Sequence, residues 1–256
     1  MKKFFKLRVR TKKRSDSFSL TRTNQNSIIK VINYYYFELI NKKSYKMLKK
    51  YKHISFDLDG TLVFTNKEYR YEVVPKVVKK LGGLVKNNHS IDRFWFESNR
   101  DEIIKNDFNL DPKAFWLVFR DFDEPIKRAL LTQSFNDVEK SFKKLKKLGK
   151  TISIITGGPN KIAKLELKKL NGAPYDYSFS IEDSQYKEKP NPESFSFILN
   201  QLNSTPQETI YIGNSNEDAY YAKNAGVDFI HIERNEHKFD LKEHAVCTIK
   251  SLEELF

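Results

Sequence analysis

Residues 53–63 read HISFDLDGTLV, an apolar run of the kind that fills a buried strand, carrying two aspartates at its far end before it stops at Gly60. Ionised carboxylates are costly to bury unless something pairs with them, so the stretch asks for a partner. Asp57 and Asp59 stand two apart in an extended segment, which turns their side chains toward the same side. Gly60 permits the turn that leads away. Two carboxylates held together repel each other, and a hard cation with oxygen ligands is their natural partner.

Outward from this stretch the chain alternates strand and helix signals. Residues 54–58, 151–155 (TISII), 208–212 (ETIYI) and 227–232 (VDFIHI) are short, apolar and rich in β-branched residues. Between them, residues 138–148 place Val138, Phe142, Leu145 and Leu148 on one helical face and close at Gly149. Strands separated by helices of this length form right-handed βαβ units, so the expected class is α/β, a Rossmann-like doubly wound parallel sheet. One interval breaks the alternation. Over residues 65–134 no strand stands out, while EYRYEVVPKVVKKL, IDRFWFESNRDEIIK and DPKAFWLVFRDF read as amphipathic helices. The expected domains are therefore an α/β core over 51–64 and 135–256, and a small all-helical cap over 65–134 inserted after the first strand. The aromatics Phe94, Trp95, Phe115, Trp116 and Phe119 are read as the core of that cap.

Three further strand ends carry polar chemistry, and ligands of α/β sheets bind beyond the carboxyl ends of the strands. Thr156 closes one apolar run and is followed by the amides of Gly157 and Gly158, which suit an anion. In KEKPNPESF, Lys189 precedes Pro190, with Asn191 and Pro192 at a helix start. In YIGNSNEDAYYAKNAG, a turn at Gly213 leads to Asn214, Ser215, Glu217 and Asp218, opening a helix that Gly226 closes.

Charge and composition narrow the classes. The formal charge of +13 sits wholly in residues 1–50, which hold 15 Lys and Arg against 2 Asp and Glu; the remainder holds 31 of each. Four readings fit this N-terminal arm: a disordered basic tail, a contact to nucleic acid or anionic membrane, an organelle-targeting segment, or an upstream extension of little consequence. Cys247 is the sole cysteine, which excludes an internal disulfide and points to a reducing, cytoplasmic setting. No run of about 18 apolar residues is present, so no transmembrane segment is expected. His231, His237 and His244 fit no short zinc-ligand spacing and are read as surface or core histidines.

DLDGTL, the threonine ending TISIIT, the lysine of KPNP and the GNSNED segment resemble, in order and spacing, the four motifs of haloacid dehalogenase superfamily phosphatases. The resemblance covers about residues 52–252, with the helical insertion where the phosphoglycolate-phosphatase and β-phosphoglucomutase-like branch carries its cap. It implies a Mg2+-dependent phosphomonoester hydrolase acting on a small phosphorylated metabolite through an aspartyl-phosphate. By that resemblance Asp57 is the nucleophile and Asp59 the acid and base, with Lys189 offsetting negative charge on the nucleophile and the phosphate. Thr156, Gly157 and Lys189 hold the phosphate, and Asp57, Asp59 (through its carbonyl), Asn214 and Asp218 hold the metal. The physical need is that an anionic nucleophile must approach an anionic phosphate, which one lysine cannot neutralise alone. Asn214 departs from the family, which usually has Asp there, and an amide oxygen carries no formal charge toward a metal. Asp59 argues against the carbon–halogen hydrolases and the phosphonatases of the superfamily and leaves phosphomutases open. The alternative reading is a catalytically weak binding protein docking on nucleic acid or anionic membrane through its basic arm. Arg70, His89, Arg93 and Arg100 are the cap candidates for substrate selection.

Overall fold

The computed structural model describes residues 48–97, 99–182, 184–234 and 238–256. The basic arm falls outside them up to residue 47, as does His237. Six strands form one sheet in the order β5–β4–β1–β6–β7–β8, with every pairing parallel. They are β1 (His53–Phe56), β4 (Thr151–Thr156), β5 (Tyr177–Ser180), β6 (Thr209–Gly213), β7 (Asp228–Ile232) and β8 (Cys247–Ile249). Every residue of β1 and β6 is buried, which explains why these strands read as continuous apolar runs without alternation: helices cover both faces. From β1 the chain goes on to β4 and β5 on one side and to β6, β7 and β8 on the other, so β1 sits at the switch point where an α/β sheet opens a crevice.

The helix α6 (Val138–Lys147) lays Val138, Phe142 and Leu145 against the sheet, where they join Ile54, Phe56, Ile152, Ile210 and Ile230 in one apolar cluster. The opposite face is held by α8 (Glu193–Gln201) and α9 (Asn216–Asn224), whose Phe195, Ile198, Ala219 and Ala222 pack with Ile155, Tyr211 and Phe229. The helix α7 (Asn160–Leu167) follows β4.

Between β1 and α6, the described residues form α1 (Lys67–Lys80), α2 (Asn88–Phe96), α3 (Arg100–Phe108), α4 (Pro112–Phe122) and α5 (Pro125–Leu130). They share a separate apolar cluster that includes Val74, Val77, Phe94, Ile104, Phe108 and Phe115. Two details depart from the sequence expectation. Residues 91–105 are not one helix. Glu97 is already extended at φ −92° and ψ 147°, and Asn99, Asp101 and Glu102 start a new helix with acidic side chains at its positive end. The insertion is also flanked by a short antiparallel ladder of β2 (Val63–Thr65) and β3 (Thr132–Ser134), three residues each, too brief to leave a periodic signal. This ladder joins the outgoing and returning chain, and Thr65 and Thr132 also share a hydroxyl–hydroxyl hydrogen bond of 2.8 Å.

Candidate active site

The end of β1 is fixed before any side chain is considered. The amide of Asp57 donates to the Ile212 carbonyl on β6 at 2.9 Å, and the carbonyl of Leu58 accepts from the amides of Leu62 and Val63 at 2.9 and 3.1 Å. Such a tight turn needs a left-handed residue, and Gly60 takes φ +74°. A second constraint acts on the same glycine: a Cβ there would lie 2.0 Å from Asn214 Nδ2. Arg234 clamps the turn from outside, its Nε and Nη2 donating to the Thr61 carbonyl at 3.2 and 3.1 Å while its fork grips Asp137 at 2.9 Å twice.

Lys189 is buried behind Asp57, and the three donors of its ammonium match three acceptors. These are Asp57 Oδ1 at 2.7 Å, the Tyr211 hydroxyl at 2.8 Å and Asp218 Oδ1 at 3.0 Å. Burial works against the lysine's charge, but Asp218 and Asp57 more than offset it and lift its pKa well above the ordinary value. Asp57 is itself buried, and burial, then the nearby Asp218, push its carboxyl upward against the opposing pull of Lys189. One lysine therefore only partly offsets the two carboxylates.

Asn214 and Asp218 follow β6. Asp218 Oδ2 accepts from the amides of Asn214 and Ser215 and from the Ser215 hydroxyl, while Ser215 Oγ accepts from the Asp218 amide, a reciprocal cap on α9. Asp218, expected as a metal ligand, lines the same cavity, and both its oxygens accept from protein donors, which holds Lys189 and the loop in place. Close approach requires Gly213, where a Cβ would fall 2.5 Å from Asp218 Cγ. The side chain of Asn214 is buried beside Thr61, whose hydroxyl donates to Asn214 Oδ1 at 3.4 Å.

On the other side of β1, Thr156 ends β4 and its Oγ1 accepts from the Gly158 amide at 3.0 Å. Asp57, Asp59, Thr156, Gly157, Lys189, Asn214 and Asp218 all line one cavity of about 550 Å³ that the helical insertion also lines. Of the proposed selecting residues, only Arg100 lines it. Arg70 is buried against Asp92 at 2.7 Å, and Arg93 pairs with Glu97 and Asp107. His89 is exposed and lies elsewhere. The aromatics divide: Phe115 is wholly in the insertion's core, whereas Phe94, Trp95, Trp116 and Phe119 pack there and also face the cavity.

Sequence reasoning missed Tyr211, Glu166 and Arg128. Tyr211 gave only a strand signal, yet its hydroxyl also donates to Asp218 Oδ1 at 3.2 Å. Arg128, on α5, is buried and its Nη2 reaches Asp59 Oδ1 and Oδ2 at 3.3 and 3.2 Å. Glu166, on α7, is buried, and burial followed by Asp59 beside it raises its carboxyl.

Among the described residues no group of three or more His, Cys, Asp and Glu side chains is arranged for a metal. Asp57, Asp59, Asn214 and Asp218 line the cavity with hard oxygen donors of the type that suits Mg2+, and no His or Cys lines it among the described residues.

A family model described as haloacid dehalogenase-like hydrolase matches residues 54–232. The chain therefore belongs to the haloacid dehalogenase-like hydrolase family. Pyrophosphatase PpaX of Bacillus mycoides (strain KBAB4) is 27% identical over 178 residues, covering 68% of this chain and 79% of that protein. Phosphoglycolate phosphatase of Vibrio vulnificus (strain CMCP6) is 29% identical over 96 residues, 38% of this chain and 42% of that protein. A haloacid dehalogenase-like family hydrolase from Streptococcus pneumoniae superposes with a TM-score of 0.67 at 18% identity, over 81% of this chain and 97% of that one, a likeness of fold. Among the described residues, no helix is long and apolar enough to cross a membrane.

Proposed function

We propose that the chain is a Mg2+-dependent phosphomonoester hydrolase that takes a small phosphorylated metabolite into the cavity and passes its phosphoryl group through Asp57. The observation that carries this reading is the buried contact of 2.7 Å between Lys189 Nζ and Asp57 Oδ1, on a strand-end site whose cavity Thr156, Gly157 and Asn214 also line. Asp57 attacks phosphorus as the ester P–O bond breaks, and Asp59 gives its proton to the leaving oxygen. Asp59 then takes a proton from water, which attacks phosphorus and releases phosphate with Asp57 restored. Lys189 holds Asp57 in place and offsets charge, while Thr156 and the amide of Gly157 receive the phosphoryl oxygens. Asp57, the Asp59 carbonyl, Asn214 and Asp218 would hold Mg2+, which when bound supplies the charge neutralisation that Lys189 leaves incomplete. Residues 65–134 act as a cap over the core of 51–64 and 135–256, excluding water and choosing the leaving group.

Hydrolysis of p-nitrophenyl phosphate by the full chain tests the reading. Turnover is expected with Mg2+, to cease on chelation, and to be abolished by Asp57→Asn. Turnover that persists undiminished in Asp57→Asn would overturn it.

A further inference from the structure

Arg128 occupies a position that the reaction just described does not use. It sits on α5, where the helical insertion returns to the core, with a side chain only 10% exposed. Its guanidinium meets three carboxylates from three separate segments. Nη2 reaches both oxygens of Asp59, Nη1 stands 3.6 Å from Asp123 Oδ2, and Nε stands 3.2 Å from Glu166 Oε1. Trp95 of α2 closes a further side, its ring centroid 5.1 Å from Cζ. Asp123 is held in turn by the Tyr69 hydroxyl at 2.6 Å.

A buried arginine needs partners, and Asp123 and Glu166, 8% and 1% exposed, supply opposite charge while Asp59 takes the hydrogen bonds. Asp59 itself has no such need of the contact. Asp59 has a side chain 34% exposed in the cavity, where water could solvate it. The guanidinium is planar and flanked by Asp123 and Glu166 on its other nitrogens, so the Nη2 that reaches both Asp59 oxygens is fixed in place and sets the direction of that carboxylate. Asp59 must point at a leaving oxygen to protonate it, and an error of about 1 Å in such a placement costs as much as 100-fold in rate.

Resting on the reading of Asp59 as the acid, we propose that Arg128 is a positioning residue that aims Asp59 at the leaving group, and does so only while the insertion is seated on the core. Arg128 belongs to the returning segment, Asp123 and Trp95 to the insertion, and Glu166 to the core helix α7, so lifting the insertion would withdraw the guanidinium from Asp59. Acid assistance is thereby restricted to the assembled cavity.

The test uses leaving groups of different need, compared through kcat/KM so that only steps up to phosphoryl transfer count. An alkyl phosphate requires a proton on its leaving oxygen, whereas p-nitrophenyl phosphate requires almost none. Arg128→Lys keeps the charge without the planar guanidinium that Asp123 and Glu166 flank. It is expected to lower kcat/KM for an alkyl phosphate about 10-fold or more while changing that for p-nitrophenyl phosphate less than about 3-fold. In an Asp59→Asn background the same substitution should cost nothing further on the alkyl ester, since there is no acid left to aim. Glu166→Gln, a milder loosening of the same cluster, should open the same gap by a smaller factor, and circular dichroism establishes that each variant is folded. Equal losses on both esters, equal losses in both backgrounds, or no gap in either variant would overturn the proposal. A wild-type chain without Mg2+-dependent turnover would overturn the hydrolase reading and this inference with it.

Discussion

At the scale of single residues, the site is set by which carboxylate each cation holds. Lys189 Nζ bridges Asp57 and Asp218, at 2.7 Å from one carboxylate and 3.0 Å from the other. Lys189→Met would leave two buried carboxylates facing each other. It is expected to lower stability by about 3 kcal/mol in urea unfolding and kcat by at least about 100-fold. Asn214 offers an uncharged amide where a carboxylate would bind a cation more strongly, so Asn214→Asp should lower the Mg2+ concentration needed for half-maximal turnover several-fold. An unchanged or higher Mg2+ requirement would argue against Asn214 as a ligand. Asp57, Asp59, Lys189 and Asn214 were legible because each lies in a short motif next to a strand end. Arg128 was not, because its partners Asp59 and Glu166 lie 69 residues before it and far beyond it in the chain, and nothing in the local pattern around it distinguishes it from a solvated helix arginine.

At the scale of elements, the strand-end loops depend on contacts closer than any side chain but hydrogen allows. Gly213→Ala places a methyl 2.5 Å from Asp218 Cγ, which must displace the cap of α9 and the acceptor of Lys189 together. A lower melting temperature accompanied by lost turnover is expected, whereas an unaltered melting temperature would contradict the packing described. The insertion's core has its own keystone in Phe94, whose ring lies 5.0 Å from Phe115 and 5.5 Å from Phe119. Phe94→Ala should cost about 3 kcal/mol in urea unfolding. The strands β1, β4, β6 and β7 were readable because they are almost wholly buried and each run is centred on isoleucine and other apolar residues. By contrast, β5 is half-buried throughout with the sequence YSFS, and β8 is the three-residue edge CTI. Neither carries enough apolar pattern to stand out, since their pairing is decided by neighbours distant in the chain.

Across the whole molecule, the sheet that presents the site is tied at its opposite end by a buried polar chain. His53 Nε2 lies 2.8 Å from Ser153 Oγ, which donates to Ser55 Oγ at 2.8 Å, and His53 Nδ1 lies 3.4 Å from Thr209 Oγ1, linking β1, β4 and β6. Burial lowers the His53 pKa to about 4 from 6.5. The unfolded chain therefore takes up a proton near pH 6.5 that the folded chain refuses until about pH 4. Acidification through that window favours unfolding, by up to about 3 kcal/mol. Urea midpoints at pH 7 and 4.5 should differ by less in His53→Asn than in the wild type, and an equal pH dependence in both would contradict this assignment.

The central claim is that Asp57 accepts a phosphoryl group. Mass spectrometry after an acid-quenched single turnover tests it most directly, with Asp59→Asn used to slow release of the group. The account predicts one added phosphoryl group on the peptide carrying Asp57, absent when Asp57→Asn is introduced. Turnover with no such adduct, or with the group on another residue, would contradict it.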